Sequence, residues 1–528
     1  MDTMTHSVDF DAKRIDALFA ELDQCHLPGA AVGIAIRGRP VYRKGFGLAN
    51  MELQVALSPT IRMRIASVTK HFAALAYLLL CEEGRAGIDD PIGKYLPELH
   101  PVTHQVSVRQ LMGHTGGLRD AYDLLYHFSG TGARVCSDGV LSFYRDVNDV
   151  NAAPGVTWSY SSGGYVMLTA AIERIAARSL EEVLRERIFS PVGMYDTLLR
   201  RWDTDFVSNS ATLHMTTPEG GYDRSYLGSA LAGEGGMVST VDDMLRWLAH
   251  MDTPVVGSAA TWETLKTPQT LANGTSTGYG LGLMCGRYRG FETLFHPGGV
   301  SGGNSQMLKV PAAGLDIVVL VNRHDVQAMT LAEKILDACL PDLGPLSGRP
   351  GGRLATGTFQ SPQTGCFIEL LAREGQQVVS LEGFDIPVEP DPQGALRPSG
   401  LFGYLKQAVR PIGDPEKPAA IRFNDFGNID ELVRVPPPED TGVGAIAGCY
   451  RSEVTRTEVT ISRTPNGQQM HTIGPFGSAT YTLDCLADGV WRATSPMPRS
   501  AVLSFNHNAT AFRFSSWLTR ALPFRRVS

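Results

Sequence analysis

Apolar positions fall into two textures along the 528 residues, and the change between them is abrupt. Up to about residue 343, helical and strand patterns are mixed. Residues 11–24 and 180–189 carry apolar side chains every third or fourth position, which predicts amphipathic helices. Residues 72–81 are strongly apolar and close on Gly84, the pattern of a core helix. Residues 30–36 and 316–321 are short apolar runs that predict buried strands. A Gly/Pro-rich stretch at 343–352 then reads as a linker. From 356 to 435 the pattern becomes short alternating runs (CFIELLAR, QQVVSLEG, AAIRFND) between Gly, Pro and Asp turns. A second break at 435–440 precedes more of the same: VTRTEVTISR, GVWRAT, AVLSFN and AFRFSSW.

These textures predict three domains: a mixed unit at 1–343 and two all-β units at 353–435 and 444–528. Turn signals recur about every 8–12 residues in the latter two, as in small antiparallel barrels or sandwiches. The two units also open alike. Ala355-Thr-Gly-Thr-Phe-Gln-Ser361 echoes Ile446-Ala-Gly-Cys-Tyr-Arg-Ser452, a G-x-[FY]-x-S opening that hints at a duplicated fold.

Composition narrows the function classes. The 43% hydrophobic and 19% charged content is that of an ordinary globular protein. A net charge of -7 supplies no basic field for phosphates, which argues against a nucleic-acid partner. The longest apolar stretch, 72–81, is far shorter than the ~20 residues a membrane span needs. The first 20 residues contain early acids and no apolar core, so no secretory leader is expected. Eight scattered cysteines without a C-x-x-C pair argue against zinc and a disulfide framework, and favour a reducing cytoplasm.

Ser67-Val-Thr-Lys70 is the one S-x-x-K in the chain. On a helix, positions i and i+3 share a face about 4.5 Å apart along the axis, so the lysine amine stands beside the serine hydroxyl. An apolar helix beneath the pair desolvates the amine and favours its neutral, basic form. Ser67 then serves as nucleophile and Lys70 as its base. Tyr160, in Trp158-Ser-Tyr-Ser-Ser162, offers a hydroxyl that can shuttle a proton to a leaving group. His296-Pro-Gly-Gly299 ends an apolar strand in glycines that let a substrate backbone lie against it, with Gly298 in that contact. The Gly299 N–H can join that of Ser67 as an oxyanion hole, because Pro297 has none to give. Gly299-Val-Ser301-Gly-Gly303 also fits G-x-S-x-G, but Ser301 leads into another strand pattern, so a hairpin is the simpler reading.

Together these elements resemble the penicillin-recognising serine hydrolases, which include class C β-lactamases, D,D-peptidases, related esterases and D-aminopeptidases. The order S-x-x-K, Y-x-[NS], H-x-G matches over residues 10–340. So do the phrases Ile88-Asp-Asp-Pro91, His114-Thr-Gly-Gly-Leu118, Gly235-Gly-Met-Val-Ser-Thr-Val-Asp-Asp243 and Tyr279-Gly-Leu-Gly282. The resemblance implies an α/β (α+β) β-lactamase-like domain, its antiparallel sheet flanked by helices, acting without metal or cofactor. It assigns Ser67 as nucleophile, Lys70 as general base, Tyr160 as proton relay and His296 as the neighbour that polarises it.

Two C-terminal barrels are similar to the bacterial D-aminopeptidase subgroup, which releases D-alanine-like residues from small peptides, amides and esters. In that subgroup a loop of the last domain enters the active site; by position this is residues 493–500. This chain departs at Ser162, where an amide normally contacts substrate, and in that loop, which holds Arg499 and no acid. Glu234 is therefore the candidate partner for a substrate ammonium. A D-stereospecific amidase or carboxylesterase is the next reading. β-Lactamase and D,D-peptidase activities rank lower, since Pro297 lacks the hydroxyl that holds a substrate carboxylate. A homodimer is compatible with all of these.

Overall fold

The computed structural model describes residues 7–130, 133–344, 355–436, 446–465, 467–495 and 500–527. Helix α1 (Ala12–Leu18) starts at Asp11, whose carboxylate accepts the Lys13 N–H. Strands β1 (Ala30–Ile36) and β2 (Arg39–Phe46) form a hairpin. The principal helices that follow are α2 (Thr69–Glu82), α3 (Ala121–Ser129), α4 (Ser162–Ala176) and α5 (Val241–His250). Then come β3 (Met284–Tyr288), β4 (Phe291–Val300), β5 (Gly303–Val310), β6 (Leu315–Val321) and α6 (Ala328–Cys339). The strands make one antiparallel sheet in the order β3-β4-β5-β6-β1-β2.

The unbroken apolar runs are explained by burial of both faces of this sheet. Ala30, Val32, Ile34, Ile317 and Val319 pack with Ile15 of α1 and Ile335 of α6. Their alternates Ala31, Ala35, Val318 and Leu320 join the core that holds α2 and α5. Helix α5 lies directly on β1, so that a Cβ on Gly33 would run into Val241. The helix expected over 11–24 stops earlier. Phe19 leaves helical geometry to stack on Phe46, at 5.0 Å between ring centroids, and a 3-10 turn follows at Ala20–Leu22.

Each all-β region is a closed antiparallel barrel of eight strands, from Gly357–Gln360 to Asn428–Arg434 and from Gly448–Ser452 to Leu522–Arg526. The shared opening has one structural cause in both. Gly357 and Gly448 sit at φ 152° and 154°, and a Cβ on either would collide with an arginine of the closing strand, Arg434 or Arg526. Those arginines lie 5.0 and 5.6 Å over the rings of Phe359 and Tyr450 and donate to the carbonyls of Thr356 and Ala447. The same pairs close the barrels, Phe359 opposite Arg434 and Tyr450 opposite Arg526. Glycine, aromatic ring and closing arginine thus form one repeated joint, which supports duplication.

Both barrels pack on the first domain. In the first barrel, Tyr404 and Phe426 stack around Trp158. The second grips α3, whose Leu124 and Phe128 belong to that barrel's core beside Phe514 and Phe524. No helix among the described residues is long and apolar enough to cross a membrane.

Candidate active site

Ser67 lies in the 3-10 turn Ala66–Val68, which runs straight into α2. Ala66 before it adopts φ 48°, a left-handed conformation that is strained for a residue with a Cβ. The turn is held by Thr69 Oγ1 donating to the Ala66 carbonyl at 2.6 Å and by the Ile65 N–H donating to the Met237 carbonyl at 3.1 Å. Lys70 is fully buried. Its Nζ donates to Ser67 Oγ at 3.2 Å, to Ser162 Oγ at 3.3 Å and to the main-chain carbonyl of Glu234 at 2.6 Å. None of these three acceptors is a carboxylate.

Tyr160 and Ser162 arrive on the N-terminus of α4. Ser161 caps that helix through the Gly164 N–H, and Asp120 Oδ2 accepts from both Ser161 Oγ and the Gly163 N–H. Asp120 also caps α3 through the Asp123 N–H, so one buried carboxylate fixes two helix starts at the site. The Tyr160 ring stands 4.9 Å from Lys70 Nζ and packs on His114 at 4.2 Å.

Strand β4 brings the glycines over Ser67. Its pairing with β3 ends at Phe295, while its pairing with β5 continues through Val300, so the edge from Pro297 onward is open. A proline is tolerated in a strand where its nitrogen faces away from the ladder. The two-residue period then turns the Gly299 N–H to the same open edge. Gly298 is held tightly against the turn beneath it. The Ile65 carbonyl and Ser305 fill the place a Cβ would take, so this glycine packs β4 against the turn that carries Ser67. Around Gly299 that space is open. Ser301 sits in the β4–β5 hairpin turn with Gly302 at φ 78°, as expected of a hairpin and not of a nucleophile elbow.

Behind Tyr160 runs a chain of polar side chains that sequence reading did not assemble. The Ser161 N–H donates to His114 Nδ1 at 3.1 Å, and His114 Nε2 lies 3.2 Å from the Tyr279 hydroxyl. That hydroxyl is 3.0 Å from His296 Nε2, and His296 Nδ1 lies 2.6 Å from the Pro297 carbonyl. A carbonyl only accepts, so His296 carries its proton on Nδ1 and accepts from Tyr279; His114 in turn donates from Nε2. Every link is satisfied with both rings neutral. Burial, then the Lys70 charge, pushes His296 down to about 3 and depresses His114 well below the ordinary histidine range. His296 therefore meets Tyr160 through ring packing at 6.4 Å, with both its nitrogens engaged elsewhere.

Glu234 is 3% exposed, far from a solvated surface acid. Its Oε1 accepts from the Tyr122 hydroxyl at 2.8 Å and from the Ala232 N–H at 3.0 Å, while Oε2 is buried without a partner. Burial pushes its carboxyl above the ordinary range. Ser67, Tyr160, Ser162, Glu234 and Gly299 line one cavity of about 420 Å³.

Of the expected loop at 493–500, the described residues lie at the base of a hairpin. Thr494 and Ser500 pair there, with Ser500 Oγ donating to the Gly383 carbonyl of the first barrel; residues 496–499, including Arg499, lie outside the described residues. Another loop of the same barrel, residues 516–521, places Trp517 and Leu518 in the cavity wall.

Comparison with known proteins agrees with this geometry. The Beta-lactamase family matches residues 15–340. The D-aminopeptidase of Gluconobacter oxydans (strain 621H) is 26% identical over 523 residues, covering 95% of this chain and 96% of its own. That of Brucella canis is 28% identical over 528 residues, with the same shares. Among solved structures, the octameric penicillin-binding protein homologue from Pyrococcus abyssi superposes with a TM-score of 0.57 at 21% identity, over 80% of this chain and all of that one. The D-amino acid amidase from Ochrobactrum anthropi SV3 gives 0.53 at 24%, over 62% and 98%. These two likenesses are likenesses of fold.

Proposed function

The chain belongs to the Beta-lactamase family, and we propose that within it this enzyme is a serine D-aminopeptidase, releasing an N-terminal D-amino acid from a peptide, amide or ester. The observation that carries the amine requirement is Glu234: a residue lining the cavity that holds Ser67, with a buried carboxyl whose Oε2 has no partner among the described residues. A substrate ammonium is the group that completes it, and Ser162 lines the same cavity. The D-aminopeptidases of similar length and full coverage support the same reading.

The reaction follows from the positions of the groups. Ser67 Oγ attacks the substrate carbonyl carbon while Lys70 Nζ takes its proton. The oxyanion is held by the N–H groups of Ser67 and Gly299. Tyr160 delivers a proton to the leaving nitrogen as the C–N bond breaks and is replenished with the proton Lys70 took, leaving an acyl-Ser67 ester. Water then adds to that ester, and the D-amino acid leaves with Ser67 restored. The neutral chain from His114 to Pro297 holds Tyr160 in place without adding charge.

Turnover of D-alanine p-nitroanilide, its L-enantiomer, its N-acetyl form and a chromogenic cephalosporin tests the reading. The free-amine D substrate is expected to be preferred; preference for the acetylated form rejects an aminopeptidase, and rapid cephalosporin turnover restores a β-lactamase. Ser67→Ala is expected to lower turnover by several orders of magnitude.

A further inference from the structure

We propose that the acyl pocket is built for a bulky apolar D-side chain, such as that of D-leucine or D-phenylalanine, with Trp517 of the last barrel as its specificity-determining wall. This rests on the reading that Tyr160 marks the leaving-group side and Glu234 the substrate ammonium. The cavity wall follows β4 from Gly299 onward through the hairpin to Asn304, away from His296. It therefore extends past Ser67 on the side opposite the leaving group, where the released residue must sit. An ammonium on Glu234 Oε2 fixes the substrate α-carbon at the mouth of this space. The apolar and aromatic part of the lining is Tyr122, Tyr126, Met215, Leu227, Leu231 and Trp517; Asp120, Asn304, His324 and Gln327 supply polar groups to the same cavity. A methyl group would leave most of this apolar wall facing water, in a cavity whose whole volume, the Tyr160 side included, is about 420 Å³. The D-alanine-like residue implied by family resemblance is thus a poor fit to this chain.

The wall is also fixed in place. Trp517 stacks on Phe384 of the first barrel, centroids 4.1 Å apart and planes within 10°. The Leu518 carbonyl accepts from Asn151 Nδ2 at 2.8 Å, and Ser516 and Thr519 donate to Asp123. Arg520 reaches Asp425 at 2.7 Å. All three domains therefore hold the loop, and the pocket it closes is preformed.

The test is kcat/KM for the p-nitroanilides of D-alanine, D-leucine and D-phenylalanine, each with and without N-acetylation. An apolar pocket gains about 10–200-fold for a methylene it was shaped to hold. The larger side chains are expected to exceed D-alanine by at least about tenfold, and Trp517→Ala to erase most of that advantage, read as the ratio of kcat/KM between D-phenylalanine and D-alanine substrates. A flat or reversed dependence on size overturns the proposal. Loss of the free-amine preference within each pair overturns the aminopeptidase reading instead, so the two failures are separable. Calorimetric binding of the free D-amino acids to Ser67→Ala gives the same ranking without turnover: D-phenylalanine must bind more tightly than D-alanine, and equal or absent binding rejects the pocket assignment.

Discussion

The proton on His296 Nδ1 is dictated by the Pro297 carbonyl, and that one constraint orders everything behind Tyr160. Tyr279 must donate to His296 and accept from His114, so its hydroxyl serves two buried rings at once. Tyr279→Phe would leave a donor on His114 and an acceptor on His296 without partners. Each such group costs about 1–3 kcal/mol, so urea unfolding should show a loss of at least that size, with Tyr160 less well held and kcat reduced. An unchanged unfolding midpoint would mean that the chain does not exist in solution. Glu234 makes a separable prediction. Glu234→Gln keeps an oxygen for Tyr122 and Ala232 but removes the negative charge. A charge-assisted hydrogen bond is worth about 1.5–3 kcal/mol, so KM for a free-amine substrate should rise about 10–100-fold, and that for its acetylated form should not. Equal rises for both would assign Glu234 to holding Lys70 through its carbonyl alone.

Among the elements, those whose residues are contiguous in sequence are the ones that can be read from it. The apolar runs at β1 and β6 announce buried strands, and Ser67, Lys70 and Tyr160 each sit in a short motif on one turn. His114, Tyr279 and Asp120 are harder: 165 residues separate the first two, and only the tertiary fold joins them. The loop at 516–521 is hidden for a related reason. Its polar residues carry no motif, and their partners, Asp123, Asn151 and Asp425, lie in two other domains. Its anchoring can be checked at Asp123. Asp123→Ala removes the acceptor shared by Ser516 and Thr519, so amides at 516–521 should lose hydrogen-exchange protection. KM should rise about tenfold through the displaced Trp517, with kcat changed less, because no reacting group moves. Retained protection would show that the stack on Phe384 suffices.

The molecule as a whole holds several histidines neutral in its interior, and this sets its response to acid. His71, which accepts from Trp247 Nε1 at 2.8 Å, and His114 and His296 are all at most 1% exposed. Burial depresses all three, with His296 at about 3, and takes His250 to about 4. Below the ordinary value of 6.5 the unfolded chain binds protons that the folded one refuses, so their contribution is complete above pH 6.5 and declines as pH falls. Each histidine adds up to about 1.36 kcal/mol per pH unit to that slope until its folded value is reached. Glu382 acts with the opposite sign. Its Oε1 accepts the Phe367 N–H, its Oε2 has no partner, and burial raises it to about 8. The folded chain keeps that proton while the unfolded chain releases it above about 4.5, so this carboxyl lowers stability as pH rises from 4.5 towards 8. Urea unfolding across pH 4.5–8.5 should therefore show a steep acid limb beginning near 6.5, where several histidines act together, and a shallow alkaline limb. Glu382→Gln, which cannot ionise, should flatten the alkaline limb and steepen the acid limb, where this carboxyl opposes the histidines. A limb that survives this substitution would place its source elsewhere, with Glu234 the next carboxyl to replace.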